Sequence, residues 1–140
     1  MDTSFFALES RKKFKAEEPQ DKYTVNIHHF SHQFLDDLVN ILQNEKPSQI
    51  DFVPAGIGRY DKDLEYASTV EQKIGKKIQI NFWHQDFFQF LKRFGASKKV
   101  ISARLHLFLI AKFIGLEASY FAYQTKLKKI DRVLQKLGFK

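Results

Sequence analysis

No cysteine occurs in the 140 residues, which excludes disulfides, thiolate metal sites and cysteine nucleophiles together. Only three prolines and six glycines are present, with no internal repeat and no low-complexity tract. A long apolar run is missing too. The longest stretch, Leu105 to Ile114, is interrupted by His106 and Lys112 and falls far short of the roughly 20 residues that span a bilayer. Residues 1–15 mix acids and bases around a short Phe5-Phe6-Ala7-Leu8 patch, unlike the apolar core of a secretory signal. The expectation from these absences is a cytoplasmic protein with no membrane partner and no cofactor.

What is present argues for one folded unit. Hydrophobic residues make up 44% and charged residues 28%, a balance that is neither disordered nor membrane-like. Fifteen phenylalanines supply bulky apolar area to a core or to a partner surface. Charge is unevenly placed. Residues 1–91 hold 11 Lys and Arg against 14 Asp and Glu, a net of −3, whereas residues 92–140 hold 12 against 2, a net of +10. A concentrated cationic segment attracts polyanions by releasing counterions from phosphates.

Residues 1–22 read as a polar N-terminal arm. Tyr23, Val25 and Ile27 alternate with polar residues as in a half-buried strand. Ser31 is the expected cap of a helix bearing Phe34, Leu35, Leu38, Ile41 and Leu42. Residues 48–54 read as a second strand and 62–74 as a second helix, stopped by Gly75. Residues 77–82 alternate as a third strand, and 86–94 form a Phe-rich helix ending at Gly95. This β-α-β-α-β-α order predicts an α/β fold with a small, mainly parallel three-stranded sheet over 23–95. Phe34, Leu38, Phe52, Ile80, Phe87 and Leu91 are its expected core. Residues 96–140 are expected to form a basic two-helix hairpin packed with it as one domain. Its first helix spans the apolar stretch 100–114; its second carries Tyr120, Tyr123, Leu127, Ile130, Leu134 and Leu137 as a heptad seam. Lys128, Lys129, Arg132 and Lys136 gather opposite that seam. The seam is expected to pack on the chain's own core, with a homodimer interface as its other use.

Ala111, Gly115 and Phe121 have the spacing of a helix-turn-helix, although the second helix would begin Glu117-Ala118-Ser119-Tyr120, poor in residues that read base edges. Pro54-Ala55-Gly56-Ile57-Gly58-Arg59 lies between a strand and a helix, where backbone amides can cradle phosphate. That loop, with Phe90-Leu91-Lys92-Arg93-Phe94-Gly95 further on, resembles the pyrophosphate loop and later core helix of acyl-CoA N-acetyltransferases. The order of elements is also similar in outline to the domains of anti-sigma-factor antagonists, which implies a non-catalytic adaptor. Their Asp-Ser-Ser phosphorylation motif is replaced here by Asp51-Phe52-Val53. His28, His29, His32 and Asp36 are spaced as metal ligands could be, but adjacent strand residues point to opposite faces. His84 beside Asp86 is equally consistent with an ordinary helix start.

The leading expectation is a nucleic-acid-binding accessory or regulatory protein that holds phosphate backbone through Arg104, Lys126, Lys128, Lys129, Arg132 and Lys136. An adaptor or inhibitor of an acidic protein partner, acting through the seam or the Phe87/Phe88 helix, is the alternative. An acyl-CoA-dependent N-acyltransferase-like protein comes third; the pattern as a whole points away from catalysis.

Overall fold

The computed structural model describes residues 14–27, 33–54, 60–82, 86–121, 132 and 134–138. Strands and helices alternate throughout: β1 (Gln20–Asn26), α1 (Leu35–Glu45), β2 (Gln49–Phe52), α2 (Tyr60–Ile74), β3 (Gln79–Ile80), α3 (Phe87–Gly95), β4 (Ser97–Ser102), α4 (Leu105–Ile114) and β5 (Glu117–Tyr120). The five strands form one parallel sheet in the order β3-β2-β1-β4-β5. From β1 the chain winds outward through β2 to β3, returns across the sheet through α3, and continues through β4 to β5. Right-handed crossovers in both directions place helices on opposite faces.

Each face has its own core. Val25, Ile27, Phe52 and Ile101 pack with Leu38 and Leu42 of α1 and Val70 of α2. Val100 and Leu116 pack with Phe90 and Phe94 of α3 and with Leu107, Ala111 and Ile114 of α4. Phe34 stacks on Phe121 at 5.3 Å, bringing the approach to α1 against the residue after β5. Helix ends follow local chemistry. Asp86 accepts a hydrogen bond from the Gln89 amide at the start of α3. Gly115 stops α4 at φ 93° in a Schellman motif, its amide reaching Lys112 O while that of Leu116 reaches Ala111 O.

The parallel α/β class and the first three strands are as expected, but the sheet has five strands rather than three. Residues 97–102 are a strand paired parallel to β1, so the sheet runs through the expected boundary at 95/96. The two-helix C-terminal hairpin is therefore replaced over 97–120 by β4, α4 and β5. The helix-turn-helix reading fails for the same reason: Gly115 does take the left-handed turn, yet Glu117–Tyr120 pairs with β4 instead of forming a recognition helix. The heptad seam is not one helix, since Tyr120 is in β5; Tyr123, Leu127 and Ile130 lie outside the described residues. Leu38 and Phe52 are buried, and Phe34, Ile80 and Leu91 are half-buried. Phe87 is 52% exposed, because α3 turns Phe90 and Phe94 to the sheet and leaves Phe87 and Phe88 outside.

Candidate functional site

The strand order reverses between β1 and β4, and open parallel sheets bind ligands in the crevice at the C-terminal ends of such a pair. Asn26 and Ser102 are register partners there, and the Ala103 amide donates to Asn26 O at 3.1 Å. Asn26 is fully buried. Its Nδ2 donates to Val53 O at 2.6 Å, which fixes the amide orientation and leaves Oδ1 with no hydrogen-bond partner. A buried acceptor without a donor costs about 1–3 kcal/mol.

Beside it, Ser102 builds the turn into α4. Its hydroxyl donates to Arg104 O at 2.8 Å and accepts from the Arg104 amide at 2.9 Å. Arg104 is half-buried, and its Nε is inaccessible and unpaired. No side chain caps α4 and no acid occupies its first turn, whereas α1 carries Asp36 and Asp37 there. The positive end of the helix dipole therefore stands next to a guanidinium with an unused donor. His106 is exposed on that same turn. The ends of β1 and β4 thus bring together an acceptor that lacks a donor and a guanidinium that, among the described residues, forms no ion pair.

A polar row runs beneath it along β1. Lys22, Thr24 and Asn26 alternate with apolar residues and lie on the face covered by α3 and α4, all buried. Lys22 Nζ donates to Arg93 O at 2.7 Å and pairs with Asp51 at 3.2 Å, while Arg93 grips Asp51 bidentately at 2.8 Å through Nε and Nη2. Burial lowers the Lys22 ammonium below its ordinary value, with Asp51 pulling the other way. Thr24 and Ser97 hydroxyls bond at 2.6 Å. This row has partners up to Asn26 Oδ1, the unpaired atom at the end of β1.

Asn81, which follows β3 at the same edge and whose Nδ2 is a third unpaired buried atom, lines a cavity of about 280 Å³ against the start of α3. A hollow of about 430 Å³ lies between the C-terminal ends of α1 and α2, lined by Leu42, Pro47 and Ile74. Among the described residues no group of three His, Cys, Asp or Glu could hold a metal ion, and no helix is long and apolar enough to cross a membrane.

Of the six expected phosphate contacts, Arg104 falls at the junction of β4 and α4 rather than on a helix surface. Arg132 and Lys136 are exposed. Lys126, Lys128 and Lys129 lie outside the described residues, as do His28, His29, His32, His84 and the Gly56-Ile57-Gly58 loop. The sequence pattern marks Asn26, Asn81 and Ser102 only weakly. Their one signal is positional: each asparagine sits just before or at the end of an otherwise apolar-alternating strand segment, Tyr-Thr-Val-Asn-Ile and Gln-Ile-Asn-Phe. No family model, curated protein or solved structure matches the chain.

Proposed function

We propose that the protein binds a small hydroxylated anion, bearing phosphate or carboxylate, in the crevice between the ends of β1 and β4. The observation that carries this reading is the pair of unsatisfied buried atoms flanking the strand reversal, Asn26 Oδ1 and Arg104 Nε. Both atoms are inaccessible in this structure, so binding would have to part the strand ends; a ligand hydroxyl would then donate to Asn26, and the anionic group would accept from Arg104 and from the amides of the first turn of α4. Titration calorimetry with ribose 5-phosphate and inorganic phosphate tests it. Arg104→Ala should weaken ribose 5-phosphate by about ten- to a hundredfold, the loss of one charge-assisted hydrogen bond. Absence of binding by the wild type, or equal binding by the variant, removes the proposal.

A second reading, a polyanion such as nucleic acid held by its phosphate backbone, is favoured by exposed Arg132 and Lys136, four residues apart in the excess of positive charge after residue 91. Oligonucleotide binding at ~50 mM salt that weakens steeply as salt rises would support it, and no binding at that salt rules it out.

A further inference from the structure

We propose that the cavity at the end of β3 holds the adenine-type ring of a nucleoside phosphate whose sugar and phosphate reach Asn26 and Arg104; this rests on the crevice reading above. Three buried polar atoms without partners lie along one edge of the sheet: just after β3, at the end of β1, and two residues after β4. Strands are spaced about 4.8 Å apart, so the span from β3 to β4 is roughly 14 Å, with β1 roughly 5 Å from the β4 end. Asn26 belongs to the row that meets α3 through Lys22, and Asn81 shares its cavity with α3, so both lie on the same face. Their chemistry runs in order from an amide with a free donor, through an acceptor, to a cation. A nucleoside phosphate presents the complementary order: ring acceptors, sugar hydroxyls, phosphate.

The cavity suits a ring. At about 280 Å³ it is just below the roughly 300–1,000 Å³ that holds a whole drug-sized ligand, so it takes one part of a longer molecule. It is lined by Asn81, Phe82, Asp86, Gln89, Phe90 and Arg93, which supplies apolar aromatic wall together with two side-chain amides. Asparagine and glutamine amides match the paired donor and acceptor of an adenine edge, whereas guanine is read best by a free arginine. Arg93 is held by Asp51 and Gln79, and the Asp86 carboxylate already caps α3. That leaves the amides of Asn81 and Gln89 to do the reading.

Calorimetry with adenosine, guanosine, ribose 5-phosphate and AMP, on wild type, Asn81→Leu and Arg104→Ala, separates the two sites. AMP should bind more tightly than either fragment. Asn81→Leu should lose adenosine and weaken AMP at least tenfold while leaving ribose 5-phosphate unchanged. Its melting temperature should stay level or rise, because the change replaces an unpaired buried amide with an apolar group of similar size. Gln89→Ala, at an exposed position, gives the same readout should Asn81→Leu fail to fold. Ribose 5-phosphate binding without adenosine binding, guanosine binding as tightly as adenosine, or AMP affinity unchanged by both Asn81→Leu and Gln89→Ala while Arg104→Ala weakens it, would overturn this inference and leave the crevice reading standing. Adenosine binding that depends on Asn81, with AMP indifferent to Arg104→Ala, supports the ring site and strikes the crevice reading instead.

Discussion

Single atoms decide the tightest places in this chain. Gly95 is required by contact and not by backbone conformation: a methyl group there would overlap the carbonyl of Phe14. The two segments are also joined by the Ala16 amide on Gly95 O at 3.1 Å and the Gln20 amide on Ala96 O at 3.0 Å. Because the obstacle is backbone, a side-chain shift cannot relieve it. Gly95→Ala should destabilise the protein by about 1–3 kcal/mol, read as a lower midpoint in urea unfolding. The sequence suggested a helix stop at this glycine, whereas the helix runs through it to a cap at Ala96; the need for a hydrogen in place of a side chain depends on residue 14, some eighty positions away. The site atoms follow the same logic. Asn26 reads locally as one polar residue of a strand, and only Val53, from the neighbouring strand end, fixes which atom of its amide is left unpaired.

At the scale of elements, side chains tie helix ends to strands. Glu45, the last residue of α1, accepts from the Tyr23 hydroxyl of β1 at 2.7 Å and from Lys99 of β4 at 3.2 Å. Burial, and then the bond and charge of Glu45, push the Tyr23 hydroxyl up to about 12. An unfolded tyrosine ionises near pH 10, so between about pH 10 and 12 the unfolded state loses its proton while the folded state keeps it. The stability linked to Tyr23 is therefore intact below pH ~10 and lost as pH rises toward 12. Tyr23→Phe should show a smaller alkaline loss than the wild type, measured as the change in urea midpoint between pH ~9 and ~11.5. The elements differ in how far local pattern specified them. β1 alternates cleanly and α1 has helical spacing with acids in its first turn, so both are visible in the residues themselves. β4 is buried on both faces at Val100, Ile101 and Ser102, which erases the alternation that marks a strand and makes 100–114 look like one helix. β5, Glu-Ala-Ser-Tyr, has little strand propensity and is held by pairing with β4.

Across the whole molecule, one buried carboxylate joins four elements. Asp51 on β2 meets Lys22 on β1 and Arg93 on α3, and Arg93 also reaches Gln79 on β3. The side chains of Lys22 and Asp51 are 4% and 2% exposed, so removing the anion would leave a buried ammonium unpaired. Asp51→Ala should cost about 3–5 kcal/mol in denaturant unfolding. By itself the sequence determined the α/β class, the first three strands with their helices, and the crowding of positive charge after residue 91, because periodicity, caps and charge are local properties. Tertiary structure alone decided that β4 and β5 complete the sheet and that the strand order reverses beside β1. It also decided that Asn26, Asn81 and Arg104, far apart in sequence, lie at or just beyond strand ends along one edge. The physical reason is that parallel pairing is non-local: a strand's place in the sheet, and the polar atoms left unpaired at its end, depend on neighbours the chain reaches only by crossing over.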